Sequence, residues 1–528
     1  AGERKKTFID AVEKSPFKSR IKLLGFRTDI YELMSNAKAL LVPSFFEGFG
    51  FIVVEAMLNG CIVIGRNEAG LKEQFDNGFQ KTGQEIGLRF ECQQELVNQI
   101  KYVCNTPFED FLPMIKAAQN VILNYSVDQN VKQIMSFYKT VLDMSKKKAR
   151  VIAFYLPQFH PVPENDKWWG KGFTEWTNVG KAQPLFKGHY QPRVPADLGY
   201  YDLRMPEVRE AQANMAREAG IEGFCYWHYW FGNGKRILER PFTEVLSSGR
   251  PDFPFCLGWA NHAWTNKSWE AGTKRVEESI LMEMIYNREE YIKHFNEVLP
   301  AFRDKRYIQV DGKPLFLVFR PLEIPRPNEF IDLWQKLAKE HGLEGIYFVG
   351  ISYNMLPEDQ TLKNILLKNA PDKSALYYKS VLNAGYDAVN SRGYHRADYY
   401  CRSLKDVLWR GINMRLFKHT PVSKCEQKRI NEYLYVKEDK WENVFPTLMP
   451  NWDRTPRSGV KARVYTNSTP EVFREQLKHV LDLLSEKTDE HKISFLMSWN
   501  EWAEGNYVEP DLRYGHGYLD VLKEIIIE

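Results

Sequence analysis

Tryptophan is missing from the first 148 residues of this 528-residue chain, yet fourteen tryptophans follow from position 168 onward. Such a change of composition points to two domains. The change falls near SKKKAR, residues 145 to 150, between NVKQIMSFYKTVLDM, whose apolar residues recur at helical spacing, and the apolar strand-like run RVIAFYLPQFH. We therefore expect one domain over residues 1–148 and a second over 149–528. Other shortages narrow the function. The seven cysteines are scattered, odd in number and without CxxC spacing, which argues against a disulfide framework or a zinc cluster and fits a reducing compartment. An excess of charge is lacking too: 72 Lys and Arg against 68 Asp and Glu leave +4, with no long basic block to favour nucleic acid or a membrane surface. No apolar run is long enough to span a bilayer, and the opening AGERKKTFID has no signal-peptide core. The expectation is a cytoplasmic protein without a membrane span, although these first residues read like the middle of a domain. No Asp-x-Asp motif occurs, which removes the usual signal of a metal-dependent transferase. Neither a metal nor a cofactor is expected.

Short apolar runs rich in Val, Ile, Phe and Tyr are plentiful beyond the boundary, with helical patterns between most of them. They are VIAFYL (151–156), EGFCYW (222–227), FPFCLGWA (253–260), PLFLVF (314–319), GIYFVGI (345–351), GYDAVN (385–390), VFPTLMP (444–450) and ISFLMSW (493–499). Strands alternating with helices in this number predict an α/β fold, a (β/α)8 TIM-like barrel with long insertions. An open doubly wound sheet is the alternative, and GYDAVN is the weakest strand. Polar and aromatic residues follow the strands: Gln158 and His160, His228 and Trp230, Asn261 and His262, Arg320, Tyr353, Asn451, Trp452 and Asp453, then Asn500, Glu501 and Glu504. In a barrel these groups converge on the C-terminal face, where such proteins do chemistry.

Glu501 and Glu504 stand three residues apart between Trp499 and Trp502, so both can approach one ligand. Paired carboxylates suit glycosidic cleavage, one as proton donor and the other as base or nucleophile, and crowding beside indole walls disfavours ionising both. A Glu-x-x-Glu pair is also common on solvated helix faces; its place after a strand in a tryptophan-rich segment favours the site. Trp334 and Trp409, inside helical patterns, are expected in the core.

The segments FHPVPENDKWWGKGFTEWTNV (159–179), HYQPRVPADLGYYDLR (189–204), GFCYWHYWF (223–231), LGWANHAWT (257–265), PNWDRTPR (450–457) and WNEWAEGNYVEPD (499–511) resemble the WbsX-like family, which is similar to glycoside hydrolase family 99, the endo-α-mannosidases. The resemblance covers residues 150–528. It implies a retaining, metal-independent attack on an α-mannoside or similar sugar, with the substrate's own 2-hydroxyl as nucleophile. On that resemblance Glu501 is the base that deprotonates the hydroxyl, and Glu504 the acid that protonates the leaving group. Substrate contacts are expected from His160, Glu175, Trp176, Trp227, His228, Trp230, Trp259, Asn261, His262, Trp264, Trp452, Asp453, Trp499, Asn500 and Trp502. His262 departs from the family pattern, which often has glutamate there, and leaves the sugar specificity open.

In the first domain, LLVPSFFEGFGFIVVEAMLNGCIVIG (40–65) reads as strand, glycine-bearing loop, helix and strand. Gly48 and Gly50 permit close backbone approach, and the helix N-terminus after them suits a diphosphate; a purely structural turn explains a short Gly-Phe-Gly equally well. The stretch resembles the C-terminal half of a family 4 glycosyltransferase of the GT-B type over about residues 1–140. That resemblance makes Glu47 the contact to a donor sugar and Glu55 the contact to a nucleotide ribose. Its acceptor domain and the basic residues of its first donor-domain strand have no counterpart here, so the transferase half is expected to be partial: the end of a longer protein, a cloning boundary or a decayed remnant. The leading expectation is a carbohydrate-active enzyme of surface-polysaccharide metabolism that cleaves α-linked mannose-like glycans. Its partners are an oligosaccharide or polysaccharide and, for the first domain, a nucleotide sugar. Glycosyl transfer from a nucleotide sugar and glycan binding without turnover are the alternatives.

Overall fold

The computed structural model describes residues 2–45, 48–123, 131, 135, 147–266, 279–353, 372–402, 404–417 and 421–527. The chain divides into two compact units, 1–142 and 143–528.

The first unit holds a three-stranded parallel sheet, β1 (Ala39–Val42), β2 (Ile62–Arg66) and β3 (Leu88–Phe90), in the order β1-β2-β3. The pairing Leu40↔Val63 and Ile64↔Leu88 fixes its register. Helix Phe51–Leu58 crosses from β1 to β2, burying Val53, Ala56 and Met57 against Val63 and Phe75. The expected strand, loop, helix and strand over 40–65 are thus present. Gly50 caps that helix at φ +67°, in the left-handed region where a side chain would be strained. Glu47 lies outside the described residues. Glu55 sits on the helix and accepts from the Tyr31 hydroxyl at 3.1 Å.

In the second unit eight parallel strands run β4 (Arg150–Tyr155), β5 (Gly223–His228), β6 (Phe255–Trp259), β7 (Lys313–Val318), β8 (Tyr347–Ile351), β9 (Ala388–Ser391), β10 (Val444–Leu448) and β11 (Ile493–Leu496). Each pairs with the next in sequence, and β11 pairs with β4 through Phe495↔Ile152. The pairing of β6 with β7 (Phe316↔Leu257, Val318↔Trp259) completes the ring. The sheet is therefore a closed barrel; the open doubly wound alternative is excluded. Strands buried on both faces need apolar side chains throughout, which is why they appear in sequence as continuous runs. Glycine serves close contact at Gly223, where a Cβ would stand 2.4 Å from the Pro254 carbonyl oxygen.

Helices such as Pro206–Glu218, Arg288–Phe302, Pro327–Glu340 and Pro470–Leu484 return the chain between strands. Their starts follow from sequence: Asn287 accepts from the Glu290 amide at 2.9 Å, and Thr469 with Pro470 opens the last of them. Trp334 is fully buried and donates to the Tyr291 carbonyl at 3.0 Å. Trp409 contradicts its expectation: on helix Leu404–Phe417 it is 61 % exposed. Helical spacing identifies a helix but does not say that its apolar stripe is covered.

Candidate active site

After β11 the chain forms a tight hairpin, Asn500–Glu501 against Asn506–Tyr507, with a 3-10 turn Trp502–Glu504 at its tip. Its base is tied to the first barrel strand. The Asn500 side chain accepts from the Leu156 amide at 2.8 Å and donates to the Leu156 carbonyl at 3.0 Å, while the Trp499 amide donates to the Phe154 carbonyl at 2.7 Å. The tip is held by the segment after β10. The Asp453 amide donates to the Glu504 carbonyl at 2.7 Å, and Gly505, at φ +55°, stands where a Cβ would come within 2.9 Å of the Asp453 backbone. Only glycine fits both the conformation and the contact.

The hairpin faces a cavity of about 290 Å³ at the C-terminal end of the barrel, lined by Glu501, Glu504, Gln158, Trp227, Tyr229, His262, Trp264, Phe319, Arg320, Tyr353, Arg392, Tyr394, His395, Trp452, Arg454 and Arg457, with Leu156, Ala260 and Met497. Residues at the ends of all eight strands, or in the segments just beyond them, thus meet in one hollow, and the segment after β9 supplies Arg392, Tyr394 and His395.

The two glutamates differ in electrostatics. Burial and the neighbouring Glu504 push the Glu501 carboxyl well above the usual carboxylate range. Burial acts on Glu504 too, but Arg454 and Arg457 outweigh it and hold that carboxyl low. Arg457 Nη1 donates to Glu504 Oε1 at 2.5 Å, its Nη2 reaches Glu175 Oε2 at 3.4 Å, and Arg454 Nε stands 3.3 Å from Glu504 Oε1. These surroundings favour the ionised form of Glu504 and the protonated form of Glu501. His262 and His395 are both drawn down to about 4 by burial, so both are neutral hydrogen-bonding groups.

Of the residues expected to contact substrate, Trp227, His262, Trp264 and Trp452 line the cavity beside the glutamates. The others support it or lie elsewhere. Glu175 is fully buried, accepts from the Ala503 amide at 2.8 Å and braces Arg457. Asp453 is buried with His189 at 2.8 Å, Gln191 at 2.7 Å and the Thr455 hydroxyl at 2.7 Å; against burial, the His189 hydrogen bond and Arg193 bring it down to about 2. Asn261 is buried, locking the Tyr286 hydroxyl and the Arg320 backbone. His228 meets His294 at 2.9 Å, and Trp230 stacks on that same His294 ring. Trp259 donates to the Trp230 carbonyl at 2.9 Å, and Trp176 to the Tyr201 carbonyl at 2.7 Å. His160 is buried with neither ring nitrogen bonded.

Trp499 and Trp502 overturn their expected place as walls of the carboxylate pair. Both are fully buried in the barrel core; Trp502 stacks on Tyr507 at 3.7 Å and donates to Glu509 at 2.6 Å. The hairpin and its 3-10 tip bury both indoles in the core while the two carboxylates line the cavity. Sequence reasoning missed Tyr229, Arg392, Tyr394, His395, Arg454 and Arg457. Arg454 and Arg457 were legible, since both lie in PNWDRTPR; Arg392 follows the least apolar strand and had no comparable signal.

Together these features define a (β/α)8 barrel protein with a carboxylate-bearing cavity at the strand C-termini. Residues 151–522 match the family model "Glycosyltransferase WbsX", and residues 1–121 match "Glycosyl transferases group 1". The chain belongs to the WbsX family, with a group 1 glycosyltransferase segment ahead of the barrel. Among relatives, "Uncharacterized protein WxcX" of Xanthomonas campestris pv. campestris (strain ATCC 33913) is 34% identical over 392 residues, covering 74% of this chain and 51% of that protein. Its counterpart in strain B100 is 33% identical over the same length. The chain spans about half the length of the curated relatives it matches. Among solved structures, a "Glycoside hydrolase-like protein" superposes with TM-score 0.45 at 15% identity, covering 72% of this chain and 94% of its own. The GH99 endo-alpha-mannosidase from Bacteroides thetaiotaomicron superposes with TM-score 0.38 at 13% identity, covering 71% and 95%. Among the described residues no helix is long and apolar enough to cross a membrane.

Proposed function

We propose that the barrel cleaves glycosidic bonds of a surface-polysaccharide-type glycan, with Glu501 and Glu504 as the reacting pair. The observation that carries this reading is their unlike surroundings within one cavity: two carboxyls three residues apart, Glu504 ion-paired with Arg457 and Arg454, which hold it low, and Glu501 buried without an ion pair among the described residues, which pushes it toward its protonated form. Cleavage needs one proton donor at the leaving oxygen and one carboxylate to activate or form the nucleophile. Trp227, Trp264 and Trp452 give apolar faces for sugar rings, and Gln158, Tyr353 and the neutral histidines offer hydroxyl partners.

The charges favour Glu501 as proton donor and Glu504 as base or nucleophile, the reverse of the roles that the resemblance to family 99 implies. Protonating Glu504 works against two guanidiniums, and ionising Glu501 works against burial and a negative neighbour.

The test uses a panel of aryl glycosides with poor and good leaving groups. Glu501→Gln is expected to lose cleavage of poor leaving groups and keep a large part with dinitrophenyl glycosides, which need no proton; Glu504→Gln is expected to fail with both. The opposite pattern assigns the roles as the family resemblance does. Full activity in both variants refutes the site. The family's transferase name and the group 1 segment favour a second reading, transfer to a sugar acceptor, which chain lengthening dependent on a nucleotide sugar would support.

A further inference from the structure

Four arginines line the cavity, and three of them have a carboxylate to answer their charge. Arg320 pairs with Glu323 at 2.9 Å, Arg454 with Glu504 at 3.3 Å, and Arg457 with both Glu504 and Glu175. Arg392 differs. It is only 5 % exposed, its Nε and Nη2 are buried without a hydrogen-bond partner, and among the described residues no carboxylate stands within ion-pair distance of it. It follows β9 directly, its amide fixed by the Ser352 hydroxyl at 2.7 Å.

Aromatic faces hold the guanidinium: Phe154 at 4.3 Å, Trp227 at 5.4 Å and Phe319 at 5.8 Å from its carbon to the ring centroids. Such faces attract a cation and offset part of its lost hydration, but they supply no lone pair in the plane of the N–H groups. Among the described residues no carboxylate bonds to it; Glu501 and Glu504 act on its charge only through space. The ionised Glu504 is already engaged by two other guanidiniums, and His262 and His395 are neutral. A cavity made for neutral hydroxyls gains little from a buried guanidinium whose Nε and Nη2 are left without an acceptor. A planar donor fork fits a carboxylate better than any other common substituent of a sugar ring.

We propose that Arg392 is a specificity-determining residue that receives the carboxylate of an acidic sugar, so that the glycan taken by this cavity contains hexuronic acid. This rests on the carbohydrate reading of the same cavity. It goes further by naming the sugar class, and it assigns the discrimination to a residue of the segment after β9, away from the glutamate hairpin.

The experiment is calorimetric titration of the full chain with the methyl α-glycosides of glucuronic, galacturonic and mannuronic acid, each against its neutral hexose counterpart and against methyl mannoside 6-phosphate. At least one uronide is expected to bind about ten- to hundredfold more tightly than its neutral partner, the range of a charge-assisted hydrogen bond. Arg392→Met is expected to abolish that preference, and Arg392→Lys, which keeps the charge without the fork, to retain part of it. Equal or tighter binding of all three neutral partners overturns the proposal, as does an undiminished preference in both variants or tighter binding of the phosphate than of any uronide. The wild-type comparison decides even if a variant fails to fold. Because the readout is binding, loss of turnover leaves it untouched; failure of every glycoside, charged or neutral, to bind overturns the carbohydrate reading and this proposal with it.

Discussion

Arg457 is the cation shared by two buried carboxylates, and Arg457→Gln tests the charge logic of the site. In the wild type its Nη1 lies 2.5 Å from Glu504 and its Nη2 3.4 Å from Glu175, which is fully buried. Removing one partner of a buried pair costs about 3–5 kcal/mol, because the remaining charge keeps its desolvation penalty. Here Glu504 retains Arg454 at 3.3 Å, whereas Glu175 loses its only ion-pair partner among the described residues. The folded pKa of Glu504 lies below its unfolded value, so the stability it contributes is present above about pH 4.3 and is lost as pH falls through the lower folded value. The substitution therefore bites at neutral and alkaline pH and fades in acid, where the stranded carboxylates take up protons. Spread over residues 143–528, an unfolding entropy of about 2.1 cal/mol/K per residue turns about 4 kcal/mol at pH 8 into a Tm loss of about 5 °C. Calorimetry at pH 8 and pH 5 is expected to show a markedly smaller loss at the lower pH. The acid limb of the kcat/KM profile is expected to move up by at least about one unit, since about 1.4 kcal/mol of lost attraction is one unit. A Tm loss equal at both pH values, or an acid limb that stays in place, refutes the reasoning.

Trp334→Ala, in a fully buried position, is expected to cost about 3–5 kcal/mol in urea unfolding, while Trp409→Ser, 61 % exposed, stays within about 0.5 kcal/mol. Equal effects would contradict the burial described for the two helices. His228 and His294 share one proton across 2.9 Å, and burial draws His228 down to about 3 and His294 well below its ordinary value. Folded values below the unfolded one mean that their contribution is complete above about pH 6.5 and erodes below it, by up to about 1.4 kcal/mol per pH unit for each ring. Melting curves from pH 7 to pH 4 are expected to be shallower in His294→Gln, and an unchanged slope counts against the neutral pair.

The eight barrel strands were legible because a parallel strand covered on both faces has no polar face to show, and its apolar run stands out from its surroundings. Closure was not legible. The same runs would serve an open sheet, and the difference lies in the pairing of the last strand with the first, Phe495 with Ile152, residues far apart in sequence. GYDAVN was the weakest strand because its polar residues do structural work inside the barrel: Asp387 accepts from the Phe348 amide at 2.8 Å, and Asn390 donates to the Phe445 carbonyl at 3.0 Å. Composition also located the site without saying which aromatic faces it. The tryptophans beside the glutamates went to the core, and the indoles of the cavity came from Trp227, Trp264 and Trp452, supplied by other segments.

Two identical side chains three residues apart acquire different chemistry here through the loop that meets them. His189, Gln191 and Arg193 hold Asp453, and the Asp453 amide binds the Glu504 carbonyl, so the segment after β10 is fastened to the tip of the glutamate hairpin. The short helix Thr455–Ser458 that follows Asp453 then places Arg457 against Glu504, with Arg454 at its start. Glu501 stands at the other end of the same 3-10 turn, its amide tied to the Ser498 hydroxyl at 3.0 Å, and receives the field of these cations without an ion pair. The buried Asp453 cluster, which does not itself line the cavity, thus fixes the segment whose Arg454 and Arg457 hold Glu504 below the usual carboxylate range. A substitution there, such as Asp453→Asn, is expected to lower activity by releasing Arg454 and Arg457 from Glu504.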